Sequence, residues 1–237
     1  MAHPKALIFD VFGTCVDWRQ GVANEAASWF AELNIDADPV AFAAAWRGEY
    51  QPAMERIRSG SRGYSDLDDL HLENLDIVLD RFRIANRFDE AARKAFNRAW
   101  EKLPPWPDTV PGLAAIRQQA IIAPCSNGSI ALMTHLARYA KLPWDCIVGA
   151  GVARDYKPKP VVYLASCRAL RLEPEEVMMV AAHNDDLAAA EACGLMTAFV
   201  ARPTEHGTGQ TSDLAPSKKW TVSSNDFLEL SGQLAHI

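Results

Sequence analysis

The chain has 237 residues, 49% hydrophobic and 23% charged, a balance that supplies a sizeable core and excludes wholesale disorder. Its formal net charge is −6 with no basic block, so the electrostatic footprint of a nucleic-acid-binding surface is missing. No apolar stretch approaches a membrane span and no signal-like run precedes the first strand, which predicts a cytoplasmic chain without membrane contact.

Ala6–Phe9 is short and wholly apolar, and reads as a buried parallel strand. Asp10 interrupts it, and Gly13 and Thr14 follow as turn chemistry. From about residue 20 to 100 the texture changes to Ala, Trp, Arg and Glu at helical spacing. Val22, Ala26, Trp29, Phe30 and Leu33 mark one amphipathic helix. Asp38 and Pro39 start the next as N-cap and first helical residue, and that helix carries Val40, Phe42, Trp46 and Arg47. Leu67–Phe82 and Glu90–Trp100 predict further helices, with no convincing strand among them. This segment is a helical insertion.

Leu103–Asp108 is a Pro-rich hinge. Beyond it the apolar runs Ile121–Cys125, Cys146–Ala150, Val177–Ala181 and Thr197–Val200 alternate with segments of helical length. The alternation predicts an α/β fold: a doubly wound parallel-sheet, Rossmann-like core with an inserted helical cap subdomain. Residues 1–15 and 104–237 form the core, and 16–103 the cap. The five cysteines show no CxxC pair and read as buried thiols in a reducing compartment.

Open α/β sheets bind ligands beyond the carboxyl ends of their strands. Asp10, Ser126 and Asp186 fall at or just past such ends, which points to one shared site. Position alone leaves Asp10 between a turn residue and a nucleophile.

Four stretches supply the company that decides it: Phe9-Asp-Val-Phe-Gly-Thr14, Ser126-Asn-Gly-Ser129, Lys157-Pro-Lys-Pro160 and Asn184-Asp-Asp186. In this order, at strand ends, they resemble the haloacid dehalogenase superfamily over nearly the whole chain. The resemblance implies that Asp10 attacks phosphorus or carbon and becomes a covalent ester. Superfamily phosphatases place a second Asp two residues after the nucleophile as general acid, where this chain has Phe12. A phenyl ring donates no proton. They also carry a Gly-Asp pair whose Asp holds magnesium, where this chain has Ala181 and Ala182, and methyl groups do not ligate a hard cation. Phosphoryl transfer leans on a metal, whereas halide departure needs no protonation. The chain therefore resembles the type II L-2-haloacid dehalogenases, metal-independent and without a cofactor. Trp46-Arg47, Lys157–Tyr163 and Arg202-Pro203 are further local matches.

That resemblance implies a role for each candidate. Asp10, Lys157 and Asp186 are catalytic: nucleophile, its neutralising cation, and the carboxylate that pairs with Lys157 and helps activate water. Thr14 aims the Asp10 carboxylate, and Phe12 forms an apolar wall. Arg47 reaches the departing halide. Ser126 takes the substrate carboxylate and Asn127 the carboxylate or halide, both read as the N-terminus of a helix. Tyr163 lies near the same site, with Lys159 and Asp185 as bystanders. His183 stands where many type II enzymes carry Asn; it could donate to the halide or orient water, and a bulky ring there would favour small leaving groups, fluoride included. The expected reaction converts short 2-haloalkanoic acids to 2-hydroxy acids with inversion at C2, in a homodimer by family resemblance. A magnesium-dependent phosphatase and a non-catalytic binding protein on this fold stay open as alternatives.

Overall fold

The computed structural model describes residues 3–236. Met1, Ala2 and Ile237 lie outside that range, and with them the start of the N-terminal segment read above for a targeting signal. Six strands form one sheet: β1 (Ala6–Phe9), β2 (Ile121–Ser126), β3 (Val148–Gly149), β4 (Val177–Ala181), β5 (Met196–Val200) and β6 (Val222–Ser224). All pair in parallel, in the order β3-β2-β1-β4-β5-β6. β1 lies inside the sheet with both faces covered. Leu7 and Phe9 enter one apolar cluster and Ala6 and Ile8 the other. Side chains alternate between faces, so a doubly covered strand needs an unbroken apolar run rather than an alternating one.

Between β1 and β2 lie α1 (Trp18–Glu32), α2 (Pro39–Gly48), α3 (Tyr50–Arg58), α4 (Leu67–Arg81), α5 (Glu90–Asn97) and α6 (Thr109–Ile116). The rest of the chain adds α7 (Ile130–Ala140), α8 (Ala150–Ala153), α9 (Pro160–Leu170), α10 (Asn184–Ala192) and α11 (Phe227–Leu234). The Asp38 carboxylate accepts from the Val40 and Ala41 amides, at 2.8 and 3.2 Å, and caps α2 as its sequence predicts. The cap helices close on an aromatic cluster. Phe42 stacks on Phe96 at 5.6 Å, and Trp46 meets Phe96 and Trp100 edge-on at 5.3 and 5.6 Å. These rings are fully buried, each contributing about 1.5–3 kcal/mol by removal from water. No helix among the described residues is long and apolar enough to cross a membrane.

Some expectations need correction. The run Cys146–Ala150 is strand only at Val148–Gly149; Cys146 is exposed and Ala150 already opens α8. Gly149 there has φ +97°, and a Cβ would stand 2.5 Å from the Ser126 carbonyl oxygen, so the edge strand cannot carry a side chain at this point. The helix expected over Glu90–Trp100 ends at Asn97 and tightens into a 3₁₀ turn, Arg98–Glu101. The sequence reading missed α3, whose first turn holds Pro52, and the three-residue β6. Of the thiols, Cys15, Cys125 and Cys167 are buried, Cys193 is half-buried, and all five are unbridged.

Candidate active site

The chain leaves β1 toward β2 on one side, and β4 flanks it on the other. Strand order reverses there, which opens a crevice past the carboxyl ends. Asp10 follows β1 and His183 follows β4, so both stand at its floor. The cap roofs a cleft of about 790 Å³ lined by Asp10, Phe12, Arg47, Asn127, Lys157, His183 and Asp186 among others.

The loop after β1 is held from several sides. Trp106 Nε1 donates to the Gly13 carbonyl at 2.8 Å, and Thr109 Oγ1 to the Cys15 carbonyl at 2.8 Å. Arg202 Nε donates to the Thr14 carbonyl at 2.8 Å while its two terminal nitrogens grip Asp108. The Pro-rich hinge and the segment after β5 thus fix the loop after β1, and Asp10 is only 7% exposed.

Asp10 faces three donors. Lys157 Nζ donates to Oδ1 at 2.8 Å, and Thr14 Oγ1 to Oδ2 at 2.7 Å. Thr14 is itself aimed by the Ala182 amide, 3.0 Å from its hydroxyl oxygen. His183 Nδ1 lies 3.1 Å from Oδ2. Burial alone would push the Asp10 carboxyl up, but the Lys157 charge and the His183 hydrogen bond outweigh it and hold the group well below the usual carboxylate range. Lys157 is raised in turn: burial opposes its charge, and Asp10 and Asp186 prevail. Its ammonium also donates to Asp186 Oδ2 at 2.5 Å, while Tyr163 Oη donates to Asp186 Oδ1 at 2.5 Å. Burial and the Asp186 charge keep that phenol protonated.

Arg47 lines the cleft with its guanidinium 3.9 Å from the centre of the Tyr50 ring and 5.3 Å from that of Trp18. Its Nη1 is buried without a partner. Asn127 accepts from the Lys157 amide through Oδ1 at 2.8 Å, which leaves its Nδ2 as the donor available to the cleft. Phe12 packs edge-on against Trp100 and Tyr50.

Several placements differ from expectation. Helix α7 begins at Ile130 and is capped by Ser129, whose Oγ accepts from the Leu132 amide. Ser126 and Asn127 therefore belong to the strand end and the turn, not to the helix N-terminus. Ser126 Oγ accepts from the Gly128 amide at 3.1 Å, keeping its proton to donate. Lys159 pairs with Asp155 at the cleft mouth. Both nitrogens of His183 face carboxylates, because Nε2 meets Glu205 Oε2 at 2.8 Å. Burial would discharge the ring, yet Glu205 and Asp10 raise it well above its ordinary value. An imidazolium with both N–H groups so engaged has none left for a halide.

Glu205 was not legible in the sequence. It lies on the irregular segment after β5, 2% exposed, and the Arg202-Pro203 match just before it marked the segment without pointing to Glu205. Nor were Tyr50, Gln51, Glu55 and Arg58 of α3, which line the cleft. Arg58 Nη1 donates to the Lys157 carbonyl at 2.8 Å and so ties the cap to the loop that carries Lys157.

Comparison with known proteins places the whole chain in one family. A haloacid dehalogenase-like hydrolase model matches residues 4–194. The crystal structure of the defluorinating L-2-haloacid dehalogenase Rha0230 superposes with a TM-score of 0.96 at 48% identity, covering 98% of this chain and 95% of that one. A second L-2-haloacid dehalogenase structure, PA0810, gives 0.95 at 44% identity, covering 99% and 100%. The (S)-2-haloacid dehalogenase 4A of Burkholderia cepacia is 25% identical over 225 residues, 90% of this chain and 94% of that protein.

Proposed function

This chain belongs to the haloacid dehalogenase-like hydrolases, and from that premise we propose that it hydrolyses short 2-haloalkanoic acids to 2-hydroxy acids through an Asp10 ester. One observation carries the choice of carbon over phosphorus. Ala181 and Ala182, both buried at the end of β4, offer only methyl groups where superfamily phosphatases carry the Gly-Asp pair whose Asp would hold magnesium. Phe12, two residues after the nucleophile, is an apolar wall rather than an acid. The relatives at 48% and 44% identity are L-2-haloacid dehalogenases, one of them defluorinating.

Asp10 attacks C2 from the side opposite the halogen. Oδ2 already receives two donors and Oδ1 one, so Oδ1 is the freer oxygen for attack. Ser126 takes the substrate carboxylate. The departing halide meets the unpaired Arg47 Nη1 and the Asn127 amide. A guanidinium keeps its charge at any working pH, which suits an anion receptor. Water then attacks Asp10 Cγ, with Asp186 as its base and Lys157 and Tyr163 holding Asp186 in place. In-line displacement inverts C2, so an L-substrate gives a D-product.

The reading divides the chain into a core of residues 1–15 and 104–237 and a cap of 16–103. Family resemblance supports a homodimer, and unbridged thiols suit a reducing, cytoplasmic compartment.

Chloride and fluoride release from chloroacetate and fluoroacetate, with and without chelator, tests the reaction; release in both cases, unaffected by chelator, is expected. Magnesium-stimulated hydrolysis of a phosphate ester with no halide release would overturn it. A single turnover in ¹⁸O-water should leave the label in Asp10 and not in the first product. Labelled first product would exclude the ester.

A further inference from the structure

The Glu205 carboxylate is buried at the back of the site and touches neither cleft nor solvent. Its Oε2 meets His183 Nε2 at 2.8 Å, and its Oε1 accepts from Trp18 Nε1 at 2.9 Å. Gly13 has φ +91° and would place a Cβ 2.1 Å from Glu205 Oε1, so the nucleophile loop lacks a side chain where this carboxylate lies. Three separate segments thus make room for, fix and engage one buried acid. A buried carboxylate is costly unless paired; its nearest basic partner is the His183 ring, whose other nitrogen faces Asp10 Oδ2, while His206 Nε2 stands farther off, 3.7 Å from Oε1. His183 in turn keeps Glu205 ionised: burial would raise its carboxyl, and the imidazolium lowers it.

In the resting site His183 has two anions to hold its proton. Once Asp10 becomes an ester it is neutral, and one of them is gone. Oδ2 is then the ester carbonyl oxygen, and it is the atom that gathers negative charge when water adds. Donors placed at that atom act most in the transition state.

Resting on the dehalogenase reading, we infer that Glu205 is a positioning residue for ester hydrolysis: it keeps the His183 imidazolium aimed at Oδ2 after Asp10 has lost its own charge. His183 Nδ1–H and the Thr14 hydroxyl then form an oxyanion hole, 3.1 and 2.7 Å from Oδ2. In this step the water oxygen bonds to Cγ, one water proton passes to Asp186, and the carbonyl electron pair moves onto Oδ2. On collapse the pair returns and the Cγ–Oδ1 bond breaks. The Asp186 proton goes to the leaving hydroxy-acid oxygen, and the new Asp10 carboxyl releases its remaining proton to solvent. His183 keeps both protons throughout.

The test is Glu205→Gln, assayed with chloroacetate by rapid quench, chloride release and intact-protein mass. A glutamine can still accept from Trp18 Nε1, but its NH2 donates to His183 Nε2 only when that nitrogen carries no proton, so packing is retained while the ring loses both its counter-charge and its own charge. Charge-assisted hydrogen bonds are roughly twice as strong as neutral ones, so ester hydrolysis should slow by about tenfold or more. The chloride burst should not slow, and the ester should accumulate on Asp10. In a His183→Asn background, Glu205→Gln should have no further effect on the hydrolysis rate. A burst and a turnover that fall together, or an equal Glu205→Gln effect in both backgrounds, would overturn the inference. Wild-type protein that forms no ester and releases no chloride would instead refute the dehalogenase reading beneath it.

Discussion

Replacing Lys157 by Met keeps the stem and removes the charge that two carboxylates, Asp10 and Asp186, depend on. Lys157 is 7% exposed at its side chain, and Asp10 and Asp186 11% each. Taking one partner from a buried ion pair typically costs about 3–5 kcal/mol, because the charges left behind are uncompensated. With a urea m-value near 3 kcal/mol per M, the midpoint at pH 7 should fall by about 1–2 M. The pH dependence fixes the cause. In the wild type the lowered Asp10 carboxyl stabilises the fold fully above the unfolded carboxylate value of about 4, and that contribution is lost as pH falls through the lower folded value. The raised Lys157 contributes fully below its unfolded value of about 10.4, and loses that only as pH rises through the folded one. In the variant, the facing carboxylates take up a proton more readily. The gap between the two proteins should therefore narrow as pH drops from 7 toward 4. Tryptophan fluorescence in urea, with seven Trp in the chain, reads both midpoints. A variant midpoint equal to the wild type at pH 7, or a gap that widens on acidification, would refute the argument. Halide release should be abolished at every pH.

Arg47→Lys retains a charge but loses the planar donor stacked on Tyr50, and chloride release should slow on the order of 10²-fold; a wild-type rate would remove Arg47 from the halide's path. Tyr163→Phe strips one donor from Asp186, which should cost about 1.5–3 kcal/mol in urea unfolding and lower kcat more than it raises KM. Asp38→Ala uncaps α2 and should cost about 1 kcal/mol of stability, read as a lower thermal midpoint, with halide release at 25 °C unchanged.

The sheet was readable because each core strand is a contiguous apolar run followed by turn or helix chemistry. Asp10, Lys157 and Asp186 were readable as candidates because Asp10 and Asp186 fall at or just past strand ends and Lys157 directly precedes the first of two alternating prolines. β6 has only three residues and α3 carries an early proline, so neither left a periodic trace. The N-cap of α7 was misplaced by three residues because Ser126 and Ser129 are chemically alike, and only backbone geometry separates a turn from a cap.

The sequence by itself determined the α/β order and the helical insertion, and it set Asp10 at a strand end with Phe12 and Ala182 as side chains that offer no proton and no ligating oxygen. These rest on local information: runs, spacings and side chains that lack an oxygen or a proton. It did not determine what His183 does. That depended on Glu205, a residue 22 positions away on an unpatterned segment, and on the room left by Gly13. Only the parallel sheet, which brings the ends of β1, β4 and β5 side by side, places Gly13 and His183 against the Glu205 carboxylate. A contact of that kind is a product of chain crossing, and no local pattern encodes it.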